Sequence, residues 1–409
     1  MLNIIIIGGG AAGFFAAIIC SINFPEHKVI LLEAGSQPLT KVRISGGGRC
    51  NVTHHCFDPV ELVKYYPRGS KELRGAFTCF QPSDMIAWLE SQGVILKTES
   101  DGRMFPVTDN SETIVNCLMK AAIKAGIKLR NKAKVKSLIK QSEGFEIELK
   151  TGEILRSDRV LIATGSNPLG YSWAKSVGHT IITPIPSLFT FNIKDHLLDN
   201  LAGVSVKNVS LQLLNTGKKK YQQTGAILIT HWGLSGPAIL KLSAFGARVL
   251  HDNNYQMTLL INWAFPYKIE ELKQYLLSLK SKQNRKQISS FSPLSLPKRL
   301  WQRFLDIVEI NNQVTWGDLA NKKIYNLARQ LTQGQYKIQG KGVFKEEFVT
   351  CGGISLKEIN FKTMESKICP DLYFAGEVLD IDGVTGGFNF QSAWTTAYLA
   401  GKAIGKPSQ

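Results

Sequence analysis

The chain has 409 residues and a formal charge of +17, with 44% hydrophobic and 20% charged residues. That length exceeds one simple core and predicts a large domain interrupted by a second one; no run approaches the roughly eighteen apolar residues of a membrane-spanning helix. The seven cysteines are odd in number and scattered, with no CxxC pair to hold zinc or form a thioredoxin-like dithiol, which predicts a reducing, cytoplasmic setting.

The opening run Ile4-Ile5-Ile6-Ile7 is too short for a signal peptide, lacks a basic flank and runs into glycines, so it reads as a buried parallel strand. A glycine turn, a helix from about Gly13 to Cys20, a turn at Pro25-Glu26 and a strand from Lys28 to Glu33 complete a βαβ unit. The glycine-rich stretch Ser45 to Asn51 reads as a loop. Ser83 to Gln92 and Glu112 to Ala125 read as helices opened by Ser or Asp caps. Strands resume near Val135 and at Phe145 to Leu149, and the apolar strand Val160 to Ala163 ends in Thr164-Gly165. From Ser187 to about Trp263 short alternating strands predict a small barrel or sandwich, and Tyr267 to Gln335 looks helical and basic. Between Phe191 and Phe344 there are 21 Lys/Arg against 8 Asp/Glu, a net +13. The α/β texture returns after Gly342 and ends in a helix.

Gly8-Gly9-Gly10-Ala11-Ala12-Gly13 satisfies GxGxxG between a strand and a helix, and Glu33 closes the next strand twenty residues beyond Gly13. Gly8 permits the tight turn, Gly10 lets a pyrophosphate approach the backbone, and Gly13 packs helix on strand. The helix N-terminus turns its partial positive charge to the phosphates. Glu33 accepts from a ribose and repels a 2′-phosphate. Ala163-Thr164-Gly165 forms a second signature. Phe374-Ala375-Gly376-Glu377 with Asp380, then Gly386-Gly387-Phe388-Asn389 opening a helix, forms a third. A helix N-terminus there stabilises an anionic reduced flavin, so the three signatures in chain order select FAD over NAD. No second GxGxxG follows Gly165, so NADH or NADPH is expected only as a transient donor.

The string Lys41 to Thr53, KVRISGGGRCNVT, resembles the BaiN/YhiN flavoprotein family, whose members carry names such as aminoacetone-oxidase-like and 3-dehydro-bile-acid reductase. Thr230 to Pro237, Val349 to Gly353, Thr363 to Lys367 and Tyr373 to Trp394 carry the same resemblance across nearly the whole chain. Ala226 departs from the family's Gly-Glu pattern. The resemblance implies an α/β fold: a Rossmann-like FAD-binding domain over 1–189 and 345–409, interrupted by an inserted domain over 190–344 that covers the flavin's substrate face. The insert is expected to be β-rich and barrel-like over 190–264 and helical over 265–344. It also implies FAD contacts at Gly8, Gly10, Ala11, Ala12, Gly13, Glu33, Ala34, Lys41, Ser45, Gly46, Gly47, Gly48, Arg49, Cys50, Asn51, Val135 through its backbone, Ala163, Thr164, Gly165, Gly376, Glu377, Asp380, Gly387, Phe388 and Asn389. Read from chemistry alone, the glycines and Arg49 supply backbone N–H groups and one fixed positive charge for phosphate or flavin carbonyls.

Other chemistries compete. Cys50 and Cys56 are separated by five residues rather than the four of flavin disulfide reductases, and His54 and His55 lie between them, so a solvated loop outweighs both a redox disulfide and a metal site. His231 admits two roles, proton donor or turn histidine packed at the domain boundary. The basic insert admits an RNA-binding reading, set against basic residues interleaved with Leu, Phe and Ser as on a solvated helical face. The expected activity is FAD-dependent hydride transfer to or from a small or planar carbonyl-containing substrate, as reductase or oxidase, with a flavin that is only structural as the remaining alternative.

Overall fold

The first and third glycine motifs follow strands of one mixed sheet, with the strand of the second signature between them. Its strand order is Ile359–Asn360, Glu365–Ser366, Leu372–Phe374, Arg159–Ile162, Asn3–Ile7, Lys28–Leu32, Lys128–Arg130. Asn3–Ile7 lies between Arg159–Ile162 and Lys28–Leu32 and is parallel to both. Ile4 to Ile7 are buried, as a parallel strand covered on both faces requires. The helices Ala11–Asn23 and Phe388–Ile404 pack closely, because Gly401 has no side chain: a Cβ there would stand 2.7 Å from the Ala16 carbonyl oxygen. Two small antiparallel sheets complete this part, Thr53–His54 with Arg103–Pro106 and Leu96–Thr98, and the meander Val135–Lys140, Phe145–Leu149, Ile154–Ser157.

The computed structural model describes residues 1–342 and 349–407. The chain divides into two compact units, Met1–Ile185 with Val349–Gln409, and Pro186–Phe348. The expected return at Phe344/Lys345 lies among 343–348, outside the described residues. The segments leading out of and back into the first unit, Ile181–Ser187 and Val349–Ile354, pair with each other as a two-stranded sheet.

The second unit is built on one antiparallel sheet, in the order Gly334–Ile338, Met257–Asn262, Ser205–Leu213, Tyr221–Thr230, Gly233–Ser235, Phe191–Asn192, Gly340–Lys341. Its two edge strands are separated only by Gln339, so one extended segment serves both edges and closes the sheet into a barrel, removing exposed edges. Helices Ile269–Lys282, Lys298–Ile307 and Asn321–Gln333 bury Leu276, Trp301, Phe304 and Leu327 in a core shared with Trp263 and Tyr336.

Two expectations for this unit need correction. The β-rich part also contains the helices Pro237–Phe245 and Ala247–Asp252, begun by Pro237 after a left-handed Gly236 and sustained by Ala238, Ile239 and Leu242 at helical spacing. The helical part ends at Gln333, because Gly334, Tyr336 and Ile338 point inward in strict alternation with Gln335 and Lys337. In the first unit the expected Ser cap of Glu112–Lys124 is not made; the Ser111 hydroxyl donates instead to the Arg43 carbonyl at 2.7 Å.

Candidate flavin site

Register brings the three signatures together. Ile7 pairs with Ile162 and Ile162 with Phe374, so the chain leaves three adjacent strands at one level. The Ala163 N–H donates to the Ile7 carbonyl at 2.8 Å and the Ala375 N–H to the Ile162 carbonyl at 3.2 Å. Ligands of such sheets bind beyond these carboxyl ends. Gly8 has φ +118°, and a Cβ on it would stand 2.4 Å from the Ala163 carbonyl oxygen, so both torsion and space require glycine. Gly10 faces open space, and the helix it opens through Ala11, Ala12 and Gly13 has no side-chain cap and no acid in its first turn. Those first N–H groups stay available to an anion.

Glu33 follows the second strand as expected. Its carboxylate accepts from the Gly9 N–H at 2.9 Å and the Gly35 N–H at 2.6 Å, which pins the glycine turn and the exposed turn at Ala34 while leaving lone pairs for hydroxyl donors. Glu33 also pairs through its backbone with Arg130 and Ala133, two residues before Val135. Lys41 donates to Glu377 at 2.7 Å and to the Ser166 hydroxyl at 3.4 Å, and the other Glu377 oxygen accepts from the Thr350 N–H at 3.1 Å. Gly165 and Gly376 are thereby held beside Lys41. Asp380 is anchored by its N–H on the Ile354 carbonyl at 3.1 Å.

The helix Thr40–Gly48 loses helical torsions at Ser45, Gly46 and Gly47, and Gly46 to Gly48 are exposed with positive φ, so their peptide groups face outward. With its amide oriented as its neighbours require, Asn51 accepts from the Gly387 N–H at 2.9 Å. Thr53 donates to Gln391 at 2.7 Å and the Trp394 indole to the Val52 carbonyl at 3.0 Å. The glycine loop is thus fastened to the start of Phe388–Ile404, a helix with no side-chain cap and no acid in its first turn. Phe388 and Asn389 offer backbone rather than side chains. The Phe388 ring stacks on Tyr65 at 4.3 Å, and the Asn389 amide clamps both backbone groups of Gly383 at 2.8 and 2.9 Å.

The structure places four residues that the sequence singled out, Arg49, Cys50, His54 and His231. The Arg49 guanidinium lies 4.0 Å over the Phe105 ring and donates to Glu99 at 2.7 Å, so its charge faces carboxylates. Cys50 is buried, and burial pushes its thiol up to about 12, which unsuits it to dithiol exchange. His54 bonds the Gly386 carbonyl at 3.0 Å and packs on Phe388, and no group of three or more potential ligands gathers for a metal among the described residues. His231 stands exposed in the other unit, in the turn between Tyr221–Thr230 and Gly233–Ser235, with no hydrogen bond to its ring among the described residues.

The structure adds residues that sequence reasoning missed. Arg68 makes a two-point ion pair with fully buried Asp382, and the Val384 N–H donates to the Tyr65 carbonyl at 2.9 Å, so residues 65–69 hold the loop that precedes Gly386. No local pattern marks two partners 314 residues apart. Tyr171 follows the second signature and was overlooked because a tyrosine in a short helix carries no motif.

FAD fits this cradle: two uncapped helix N-termini suit phosphate and an anionic ring, Gly8 and Gly10 admit close backbone approach, and the buried Thr164 hydroxyl has no partner among the described residues. Fold and site together define a Rossmann-type flavoprotein oxidoreductase. The family model for the HI0933-like protein Rossmann domain matches residues 2–403, and the chain belongs to that family. Among similar proteins, a ribosomal RNA dihydrouridine synthase of Escherichia coli K12 is 29% identical over 98% of this chain and 97% of its own length. A 3-dehydro-bile acid delta(4,6)-reductase of Clostridium scindens is 28% identical over 98% and 99%. The fold matches the 3-ketosteroid-delta4-(5alpha)-dehydrogenase of Rhodococcus jostii RHA1 with a TM-score of 0.53 at 13% identity, covering 99% of this chain and 97% of that one. No helix among the described residues is long and apolar enough to cross a membrane.

Proposed function

We propose that this enzyme reduces a ring carbon–carbon double bond conjugated to a carbonyl. FAD held in that cradle would supply hydride chemistry for that bond, with an acid to give the proton to the neighbouring carbon and NADH or NADPH as the source of the two electrons. The chain's part is to hold the cofactor by the three converging turns, and the observation that carries the reading is their convergence at the ends of three paired strands. The names of the two full-length relatives support the bond type: a uracil ring and a 3-oxo steroid both present a double bond polarised by a carbonyl.

One observation favours a ring carried on RNA. Lys218, Lys219 and Lys220 stand exposed at a hairpin tip of the net-positive insert, and Trp232 is 73% exposed while most of the chain's other tryptophans are buried. Arg303, Lys280 and Lys323, by contrast, donate to backbone carbonyls at 2.7–2.9 Å and are committed to holding the helices.

The experiment is anaerobic reduction of the bound flavin by NADH or NADPH, followed by separate mixing with uridine-rich RNA, a 4-en-3-one steroid, or oxygen. Reoxidation by the unsaturated ring faster than by oxygen supports the proposal. Reoxidation by oxygen alone identifies an oxidase and overturns it. Charge reversal of Lys218, Lys219 and Lys220 should slow the RNA reaction in a salt-dependent way and spare the steroid.

A further inference from the structure

Two buried hydroxyls beside the cradle lack a hydrogen-bond partner among the described residues. The Tyr171 side chain, in the helix Pro168–Ser176, is 93% buried by its 7% relative exposure, and its hydroxyl has no hydrogen-bond partner among the described residues. The Thr164 hydroxyl, in the second signature, is buried and unpaired in the same sense. The two belong to one turn of chain: a Cβ on Gly170, the residue before Tyr171, would lie 2.1 Å from the Thr164 oxygen.

The surroundings say what completes them. The acidity of Tyr171 is weakened first by burial and then by the charges of Glu377 and Asp380, which puts the phenol in the field of two carboxylates without bonding either. Glu377 spends one oxygen on Lys41 and the other on the Thr350 N–H and keeps lone pairs on both. A phosphate beside these carboxylates is repelled, and an apolar group leaves both hydroxyls unpaired. A polyol satisfies the whole set, because each of its hydroxyls both donates to a carboxylate and accepts from a phenol or a threonine.

We propose that Tyr171, with Thr164, binds the ribityl chain of FAD, whose hydroxyls would meet the two unpaired hydroxyls and the carboxylate charge beside them. Orphan hydroxyls burden the empty protein and are relieved only in the complex. Replacing the phenol by phenyl therefore acts with opposite sign on the two states.

The test is Tyr171→Phe, with Thr164→Val as a second variant, in protein stripped of FAD and titrated with FAD or with ADP, which carries adenosine and pyrophosphate but no ribityl chain. The expected result is FAD affinity reduced about tenfold with ADP affinity unchanged, and an apo-protein that melts no lower than wild type while the FAD complex does. Unchanged FAD affinity assigns the hydroxyls to water and overturns the proposal. Equal weakening of FAD and ADP, or an apo-protein destabilised as much as the complex, assigns them a structural role and also overturns it. The inference rests on FAD as the cofactor, and the two fail separately: wild-type protein that takes up no FAD fails the cofactor assignment, whereas a variant that binds FAD like wild type fails only the ribityl contact.

Discussion

The two units hold their shapes by different means. In the FAD unit the site is drawn together by single polar ties between distant segments: Lys41 to Glu377, Arg68 to Asp382, Asn51 to Gly387, Thr53 to Gln391. In the insert the fully buried side chains Trp263, Trp301, Trp316, Phe304 and Tyr336 supply a continuous apolar core. A core spreads its stabilisation over many small contacts, whereas a buried ion pair fails as a unit when one partner goes. Damage to the first unit should therefore be abrupt and visible in the flavin, and damage to the second gradual and visible in tryptophan emission.

The strongest break of that contrast is Asp382→Ala, which removes the two-point ion pair with Arg68 beneath the loop before Gly386. It should cost the FAD unit about 3–5 kcal/mol in denaturant unfolding followed by flavin absorbance. Gly8→Ala comes next: the new Cβ meets the Ala163 carbonyl in a positive-φ position, and FAD affinity measured by titration should fall about a hundredfold while the insert's tryptophan transition stays put. Trp263→Phe sharpens the other side. It removes an indole N–H that bonds the buried Tyr336 hydroxyl at 2.9 Å and leaves a small void, so about 1–3 kcal/mol should be lost from the insert with flavin binding intact.

The smallest expected effect is a pH dependence confined to the FAD unit. His179 is buried with Nδ1 3.0 Å from Glu358 and Nε2 2.8 Å from the Ser366 hydroxyl. That hydroxyl already accepts from the Ile368 and Cys369 N–H groups at 3.0 and 2.8 Å, so its own proton goes to Nε2, and the ring stays neutral with its N–H on Glu358. Burial holds the His179 pKa below 6.5, outweighing the pull of Glu358. The unfolded chain then takes up the proton first, so stability conferred by His179 is present above 6.5 and is lost as pH falls below it. Melting temperature should drop on mild acidification in wild type and drop less in His179→Gln.

Much of this was legible in the sequence, and the reason is local. GxGxxG, Ala163 to Gly165 and Gly386-Gly387 are readable because backbone torsion and close approach dictate residue type within a few positions. Glu33 was readable because strand length fixes its distance from Gly13. What stayed hidden depends on pairing across the chain. Arg49 looked like a free cation until folding brought Glu99 and Phe105 to it, and nothing local in Phe388 and Asn389 says that Tyr65 and Gly383 take up their side chains. The barrel expectation for the insert rested on alternating strands, but its last strand was lost among basic residues that disguise the inward Tyr336 and Ile338.

The pairing of Ile181–Ser187 with Val349–Ile354 has a consequence for ancestry and engineering. Measured where it leaves and rejoins the FAD unit, a stretch of well over a hundred residues occupies the place of a hairpin connection, and the loss of chain freedom on closing a loop grows only with the logarithm of its length. Evolution can therefore exchange one insert for another at that neck with little effect on the sheet beneath, and a chimera that bridges the two neck strands with a short turn is the minimal flavin carrier this topology permits.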